Sequence, residues 1–261
     1  MESATQNRET VTILWTGGWD STYRMVMLSQ RDIIIQPVYV KTTGRKSYTY
    51  ELQAMDEIRK MLEKKDKTKA EILPTIVVSM ESIPVNKDIS AAYEVFKKEA
   101  DMGAQHDYLA RLALQYPMME LCIEKALGEH APIRKSIERH GKLIDTGDGF
   151  VVDKGASSEE LNLILGNMRL PIFAKTELDM LHDIEAWGYK DVMSHIWFCH
   201  DPVGGKPCGL CNPCTTKMTS EMNFLLSPDA QKRNIRLQKV QRVFGHNAAK
   251  VYKKIVRSFL K

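Results

Sequence analysis

A short glycine-containing segment near the N-terminus constrains the fold of this chain more than any other stretch. The run Val11-Thr12-Ile13-Leu14 is apolar and β-branched, which indicates a buried strand, and helical character follows over residues 20–29. Between them lies Thr16-Gly17-Gly18-Trp19-Asp20-Ser21-Thr22. Two glycines allow the backbone to approach an anion closely, and the free amides and dipole of a helix start favour a phosphate there. The order of strand, glycine turn and helix therefore predicts a phosphate loop.

The other side chains of this loop suit a phosphate ligand. Thr16, Ser21 and Thr22 supply hydroxyl donors. Asp20 is able to hold a Mg²⁺ ion that bridges phosphates, or to cap the helix. The alternative is a plain glycine turn with an aspartate cap. All seven residues together, directly after an apolar strand, favour the phosphate loop.

Strand-like and helix-like patterns alternate through the rest of the N-terminal half. Strands spaced by helices indicate an α/β fold of the doubly wound type, with a mainly parallel sheet and helices on both faces. Ligands in such folds bind beyond the carboxyl ends of the strands, where the glycines after Leu14 lie. The predicted elements are strands over residues 33–40 and 72–78, helices over residues 48–64 and 107–127 (the latter interrupted near Pro117), and a candidate strand over residues 142–145.

The C-terminal half contains two further helical patterns. Residues 157–170 indicate a loop and a short helix, and a helix is predicted over residues 176–187, with Thr176 as its cap and Gly188 as its stop. Residues 237–260 have amphipathic helical spacing. We expect three parts: an α/β domain over residues 1–195, a cysteine-rich segment over residues 196–220, and a basic amphipathic helical tail over residues 221–261.

Four of the five cysteines lie within sixteen residues, at Cys199, Cys208, Cys211 and Cys214. Two of the intervals have the two-residue spacing of metal-binding knuckles, and four thiolates favour a closed, structural Zn²⁺ site. An iron–sulfur cluster, redox chemistry by Cys211 and Cys214, or His200 as a substitute ligand are the alternatives. Cys122 is interpreted as a small core residue in an apolar helical stretch.

The formal net charge of +4 conceals an uneven distribution. Residues 230–261 contain ten Lys or Arg and no Asp or Glu, so the other 229 residues carry 27 basic and 33 acidic side chains, a net of −6. Such a tail is suited to RNA or DNA, to an acidic protein partner, or to docking its apolar stripe on the body of the chain. A membrane-surface helix is a weaker alternative.

Composition limits the protein class. The apolar fraction of 43% and the mean hydropathy of −0.32 suit a globular protein with a large core. No apolar run approaches the ~18 residues needed to span a bilayer. Residues 1–10 are polar and of mixed charge, unlike a secretory signal. We therefore expect a cytoplasmic protein without a membrane segment.

The phosphate loop resembles the SGGxDS signature of the PP-loop ATP pyrophosphatases, with Thr16 in place of the usual serine and its hydroxyl kept. The resemblance implies an adenine-nucleotide α-hydrolase-like fold. It also implies an ATP-dependent ligase that cleaves ATP between the α and β phosphates and attaches AMP to its substrate. The residues implied for ATP are Thr16, Gly17, Gly18, Asp20, Ser21 and Thr22, with Asp20 and Ser21 also catalytic.

The C-terminal part narrows this resemblance. Phe173-Ala174-Lys175-Thr176-Glu177, Trp197-Phe198-Cys199, and the run from Pro207 to Cys214 are similar to 7-cyano-7-deazaguanine synthases, which have a lysine before a helix, then Trp-x-Cys, then a Cys-Gly-x-Cys-x-x-Cys zinc site. The likeness implies that Lys175 contacts the ATP phosphates as a catalytic residue. It further implies a homodimer that activates 7-carboxy-7-deazaguanine, which ammonia or another amine then attacks.

The middle of the chain departs from that family, so the substrate is open. Arg45 and the pair His106 and Asp107 are the candidate substrate residues, and residues 146–149 are either a loop over the substrate or a plain turn. The alternatives for function are a diverged enzyme of a bacterial defence system that joins a deazapurine to another acceptor, a PP-loop enzyme that modifies tRNA, and a non-catalytic nucleotide-binding scaffold.

Overall fold

The apolar run at the N-terminus forms the central strand of a parallel sheet. The structure, a computed structural model, describes residues 8–100, 102–125 and 132–259. Within them the chain has an α/β architecture with a mainly parallel sheet, as predicted. The strands are β1 (Thr10–Leu14), β2 (Ile34–Lys41), β3 (Glu71–Ile72), β4 (Ile76–Ser79), β5 (Met119–Glu120), β6 (Leu143–Asp145), β7 (Phe150–Val152) and β8 (Met168–Arg169).

Helices connect and cover these strands. They are α1 (Trp19–Ser29), α2 (Tyr48–Glu63), α3 (Lys87–Ala100), α4 (Gln105–Leu112), α5 (Pro132–His140), α6 (Glu159–Leu165), α7 (Glu177–Trp187), α8 (Lys190–Met193), α9 (Asn212–Thr219) and α10 (Pro228–Phe259). Short 3-10 turns cover Met80–Ser82 and Asn223–Leu225.

The order of the strands creates a crevice beside β1. The main sheet has the order β3-β2-β1-β5-β8, with β4 also pairing with β2, and every pair in it is parallel. The chain proceeds from β1 outward through β2 to β4, then returns to β5 on the other side of β1. Ligands bind at such a reversal of strand order, outside the carboxyl ends of the strands. The loop after Leu14 lies at this point.

Apolar side chains from both faces of the sheet form two cores. Helices α1, α2, α7 and α8 pack on one face with Ile13, and α3, α4, α5 and α6 pack on the other with Leu14. Neighbouring strand residues point to opposite faces, so β1 contributes to both cores. Burying a large aliphatic side chain contributes roughly 1.5–3 kcal/mol, so these two layers hold the sheet edge and its loops in position.

The predicted strand over residues 72–78 is interrupted. It forms two short strands, β3 and β4, which pair with different parts of β2. Pro74 lies between them and has no N–H to donate to the ladder. The carbonyl of Pro74 accepts a hydrogen bond from a side chain of β2, Gln36 Nε2, at 3.1 Å.

The predicted helix over residues 107–127 is wrong in its second half. Helix α4 ends at Leu112, and the chain then enters β5 beside β1. Pro117 disfavours helix at the residue before it, and Met118 has a φ of 60°, which reverses the chain direction. Cys122 therefore follows a strand, not a helix, and residues 126 and 127 lie outside the described part of the chain.

Most of the C-terminal elements agree with the sequence pattern. Thr176 caps α7 in a capping box with Asp179, and Gly188 ends the helix at a φ of 80°. The short helix α6 was expected, whereas β8 after it was not. The strand over residues 143–145 exists, but it pairs with β7 in a separate hairpin and not in the main sheet.

The tail is a helix with a kink. Helix α10 begins at Pro228, and Gly245 has a φ of 80° and a ψ of −179°, so residues 228–244 and 246–259 run in different directions. The last two residues of the predicted tail, 260 and 261, lie outside the described residues. No helix in the described residues combines the length and apolarity that a bilayer crossing requires.

Candidate active site and metal centre

A cavity of about 360 Å³ opens at the carboxyl ends of β1, β2 and β5. The strand ends contribute Leu14, Val40 and Leu121, and α4 covers one side. The phosphate loop forms the floor through Thr16, Gly18, Trp19, Asp20 and Ser21. The structure therefore brings most of the predicted loop to the crevice where ligands bind in open α/β sheets.

Gly17 and Gly18 have different roles: Gly17 allows a crowded left-handed turn, and Gly18 begins α1. Gly17 has a φ of 69°, and a Cβ there would lie 3.1 Å from Met55 Cγ and 3.3 Å from Glu51 O. A side chain at this position would be strained and crowded. Gly18 is the N-cap of α1 and offers no side-chain cap, so the first amides of the helix are left for a ligand.

The loop hydroxyls are divided between the cavity and the core. Thr16 Oγ1 lies 3.4 Å from Ser21 Oγ, and Thr16 N donates to Ser21 Oγ at 3.3 Å. Both residues line the cavity. Thr22 is fully buried, and its Oγ1 accepts a hydrogen bond from Trp15 Nε1 at 3.1 Å. The structure thus directs Thr22 towards the core and not towards the cavity.

Asp20 shares a cavity with two acidic residues and one basic residue that the sequence analysis did not single out. A second cavity of about 320 Å³ shares Thr16, Gly18, Trp19 and Asp20 with the first and adds Glu124, Glu177 and Lys217 to the lining. Burial raises the pKa of Asp20 to about 7, the Glu124 carboxylate adds to that rise, and the Lys217 ammonium opposes it. Without a bound cation, Asp20 therefore exists as a mixture of the protonated and ionised forms near neutral pH.

Lys217 is the buried cation of this cleft. It is 7% exposed, forms an ion pair with Glu177, and lies 5.8 Å from the ring centroid of Trp19. Burial lowers its pKa, while Asp20 and Glu124 raise it. Sequence reasoning missed this residue. The available signal was its position three residues after Cys214, which places it on the helix that starts within the cysteine cluster.

Lys175, the lysine that the family likeness indicates, forms an ion pair with Asp183. Its Nζ pairs with Asp183 Oδ2 at 2.7 Å, and the same oxygen accepts a hydrogen bond from Tyr23 at 2.6 Å. Lys175 is not among the residues that line the two cavities. The structure therefore brings Lys217, and not Lys175, beside the phosphate loop.

Arg45 is the candidate substrate residue that reaches the cleft. It lines both cavities, and its Nε is 2.9 Å from each carboxylate oxygen of Glu51. Glu51 is 3% exposed and also accepts hydrogen bonds from Tyr39 at 2.5 Å and Ser47 at 2.6 Å. This network holds the guanidinium through Nε, and no described residue forms a hydrogen bond or ion pair with its two Nη groups.

His106 and Asp107 do not reach the cleft. Asp107 accepts a hydrogen bond at 2.7 Å from Arg111 on the same helix and another at 2.7 Å from Ser90, which joins α4 to α3. His106 is 3% exposed, and burial lowers its pKa to about 4. Their neighbours on α4, Gln105 and Tyr108, line the cavity instead. The prediction therefore named the two residues between Gln105 and Tyr108, whose side chains point in other directions from the same helix.

The turn over residues 146–149 lies away from this cleft. Asp148 pairs with Arg31 and, at 3.0 Å, with Arg24. Arg31 also pairs at 3.1 Å with Glu9, which precedes β1. The turn therefore contacts Arg24 on α1 and Arg31 just after that helix, as a structural turn would.

The four clustered cysteines converge on one point. Their Sγ atoms all lie within 4.8 Å of one another, and the distances between Cys208 and Cys214 and between Cys199 and Cys211 are 3.9 Å. A tetrahedral Zn²⁺ ion with bonds of about 2.3 Å requires sulfur atoms about 3.8 Å apart. All four cysteines are buried, with exposures of 0% to 6%. The group could hold a metal such as zinc.

Backbone amides around the cysteines favour thiolates. Cys199 Sγ accepts from Cys208 N, and Cys208 Sγ accepts from Leu210 N and Cys211 N, each at 3.2 Å. Thiolates are the form that binds a metal.

The cysteine cluster is connected to the phosphate loop. Trp197 N donates to Gly17 O at 2.8 Å, and Trp197 Nε1 donates to Cys199 O at 2.8 Å. The Trp197 ring stacks on Tyr50 at 4.7 Å. On the other side of the cluster, Cys214 and Lys217 are both on α9. The cluster therefore supports two opposite walls of the cleft.

The first turns of α10 pack against the cysteine cluster. A Cβ at Gly209 would lie 2.1 Å from Ala230 O, so α10 packs directly on this turn. Arg233 Nε donates to Cys208 O and Asn234 Nδ2 donates to Gly209 O, both at 2.8 Å. His200, the alternative ligand, lines the cavity and is not part of the sulfur cluster.

No protein-family model matches the chain, and a search of the curated proteins finds no match either. The function therefore has to be inferred from the residues of the cleft and of the cysteine cluster.

Proposed function

We propose that this chain is an ATP-dependent, AMP-forming ligase that activates a carboxylate as an acyl-adenylate. The observation that supports this most strongly is the phosphate loop at the strand reversal, with uncapped amides at the start of α1 and the buried Lys217 beside it. A helix start with free amides binds anions, and a buried cation stabilises the charge of a departing pyrophosphate.

The proposed roles follow from what lines the cleft. The amides of α1 and the hydroxyls of Thr16 and Ser21 would hold ATP phosphate oxygens. Asp20 and Glu124 would hold Mg²⁺, which bridges phosphates and neutralises their charge. A Mg²⁺ ion would also ionise Asp20, whose charge is unfavourable without one. Lys217 would take the part that family likeness assigns to Lys175, and Lys175 stays a prediction.

We assign the substrate by the family likeness and by the lining of the cavity of about 360 Å³ at the strand ends. Tyr39 and Tyr108 line it, together with Arg45 and Gln105. Aromatic rings suit a flat heterocycle, and the two free Nη groups of Arg45 suit a carboxylate. A 7-carboxy-7-deazaguanine or a related 7-deazapurine fits this chemistry. Its carboxylate would attack the α-phosphorus of ATP, pyrophosphate would leave, and ammonia or another amine would displace AMP to form an amide. A second adenylation would give the nitrile.

The same proposal assigns the cysteines to a structural Zn²⁺ ion within a PP-loop fold. Four protein ligands leave no open position for a reaction on the metal. The hydrogen bond from Trp197 to Gly17 and the location of Lys217 on α9 would make zinc a support for the cleft.

The test is to follow AMP, pyrophosphate and the base by mass spectrometry, with purified zinc-loaded protein, ATP, Mg²⁺, 7-carboxy-7-deazaguanine and ammonium. AMP formation that depends on the deazapurine, with an amide or nitrile product, supports the proposal. AMP formation without a nitrogen-containing product points to another acceptor. Failure to form AMP with this base and related 7-deazapurine carboxylates would refute the assignment.

A further inference from the structure

A further cavity, none of whose lining residues belongs to the phosphate loop, is strongly basic. It has a volume of about 740 Å³ and lies between the end of α10 and the loop over residues 201–204. Among the described residues, five cationic side chains line it and Asp201 is the one lining carboxylate. The cations are Lys46, Lys250, Lys253, Lys254 and Arg257.

Three of these cations have no acidic partner in the part of the chain that the structure describes. Asp201 pairs with Lys46 at 3.3 Å and with Arg257 at 2.8 Å, so its charge is already shared. Lys250, Lys253 and Lys254 form no ion pair with any described residue. They lie on adjacent turns of one helix, and their mutual repulsion is relieved when a polyanion binds.

The kink at Gly245 brings these cations to the cavity. Beyond the kink, Ala249, Tyr252 and Val256 pack against the apolar cluster around the cysteines. That packing fixes one face of the helix on the body, and the cavity lies between this helix and the loop after Cys199. The positive charge is therefore concentrated along one wall, although the rest of the chain has a net charge of −6.

The basic cavity is continuous with the proposed active site. A cavity of about 380 Å³ lies between the two. It shares Lys46 and Asp201 with the basic cavity, and Arg45 and His200 with the phosphate-loop cavity. A chain-like polyanion bound along the lysines is thus directed towards the cleft.

Exposed aromatic rings accompany the cations. Phe259, at the end of the segment that carries the lysines, is 84% exposed, and Phe244, directly before the kink, is 71% exposed. Unpaired bases stack on such rings, whereas the carboxylates of an acidic protein make no use of them. Cations and aromatic rings together favour single-stranded nucleic acid over an acidic protein.

We propose that this basic cavity binds the phosphodiester backbone of a single-stranded nucleic acid, with one end of the strand directed towards the phosphate-loop cleft. Binding is independent of adenylation, so the two are measured separately.

The test uses the zinc-loaded full chain and fluorescence anisotropy with a fluorescein-labelled 20-nucleotide RNA and a DNA of the same sequence. The variant K250A/K253A/K254A should lose roughly 10-fold to 100-fold in affinity. The slope of log affinity against log salt should become shallower by about 2, since each phosphate contact contributes about 0.7 for a single strand. The matched control is K232A/R236A/K239A, which removes three charges from exposed positions of the same helix outside the cavity and should change affinity by less than about threefold.

Two further measurements separate the alternatives. Phe259→Ala should weaken single-strand binding by about fivefold or more and leave duplex binding unchanged. Equal losses in the two triple variants would overturn the assignment of the cavity, as would the absence of salt-sensitive binding to any oligonucleotide. Displacement of the RNA by a poly-glutamate peptide at matched ionic strength, with equal potency to unlabelled RNA, would identify an acidic protein as the partner and also refute the proposal.

Discussion

Asp20 is a single residue whose charge lowers the stability of the folded protein, although the proposed binding of Mg²⁺ requires that charge. Its pKa rises from 3.8 to about 7 in the folded state, so the native protein retains a proton that the unfolded chain releases. Stability from this group is fully present below pH 4 and is lost as the pH rises through 7. A bound cation would reverse the effect, because it favours the ionised carboxylate.

Replacement of Asp20 by asparagine should therefore stabilise the metal-free protein, and more so at pH 8 than at pH 5.5. We expect a difference of about 1–2 kcal/mol between the two pH values, from roughly 1.4 kcal/mol for each unit of pKa shift. Urea unfolding at both pH values measures it. AMP formation by Asp20→Asn should fall to background. Equal stabilisation at the two pH values would mean that Asp20 is ionised in the native protein.

Lys217 and Lys175 provide a comparison between geometry and family likeness. Lys217→Met removes the buried cation beside Asp20 and should lower kcat by about 100-fold to 1,000-fold, as expected for loss of a charge that stabilises the transition state. Lys175→Met removes a cation paired with Asp183 and should lower it by less than 10-fold. Steady-state AMP release measures both. A larger effect for Lys175→Met would return the catalytic role to that residue.

At the scale of elements, Trp197 and α9 connect the four-cysteine cluster to the cleft. Chelation of the metal, or Cys214→Ser, should release Trp197 from Gly17 and α9 from its position. We expect faster amide hydrogen exchange in residues 16–21 and 212–219, with a lower free energy of unfolding. Cys122→Ser is the matched control and should keep one zinc ion per chain. Retention of zinc and slow exchange in Cys214→Ser would contradict the four-thiolate assignment.

The kink in α10 depends on a backbone conformation that only glycine adopts easily. Gly245 has a φ of 80° and a ψ of −179°, and this region costs other residues about 1–3 kcal/mol. Alanine also favours helix, so Gly245→Ala should straighten α10 and separate Arg257 from Asp201. Small-angle scattering should detect a larger radius of gyration, and Gly103→Ala, in open space, should leave it unchanged. An unchanged radius in Gly245→Ala would mean that packing of residues 246–259 alone maintains the kink.

At the scale of the whole molecule, one buried ion pair joins three parts of the fold. Arg24 on α1 donates to both carboxylate oxygens of Glu120 on β5, at 2.9 and 2.7 Å, and both side chains are 1% exposed. Arg24 also contacts Asp148 in the β6–β7 turn at 3.0 Å. Glu120→Ala leaves Arg24 buried with one partner, so the free energy of unfolding should fall by about 3–5 kcal/mol.

Chemical denaturation of Glu120→Ala and of the double variant Arg24→Met/Glu120→Leu tests this interaction. The double variant should be more stable than Glu120→Ala, because no buried charge is left without its partner. If the double variant were the less stable of the two, the ion pair would not be the main contribution at this site.

Local patterns were sufficient for several parts of this molecule. Residues 11–22 predicted the strand, the glycine turn and the helix, because hydrophobic period and glycine conformation act over a few neighbouring residues. The capping box at Thr176 and the spacing of the four cysteines are likewise local, since a cap or a metal knuckle is formed by residues close in sequence. These features predicted the α/β class and the four-cysteine cluster before any tertiary contact was known.

What only the tertiary structure decided were the contacts between distant segments. A two-residue strand such as β5 has no periodicity of its own and exists because it pairs with β1 and β8. Lys217 is distant in sequence from Asp20 and lines the same cavity from α9, which also carries Cys214, whereas the family likeness had indicated Lys175. The sequence by itself therefore determined the glycine turn after β1 and the close spacing of the four cysteines, which are local features. Burial and non-local packing determined which charges face that loop and where the cations of the tail are directed.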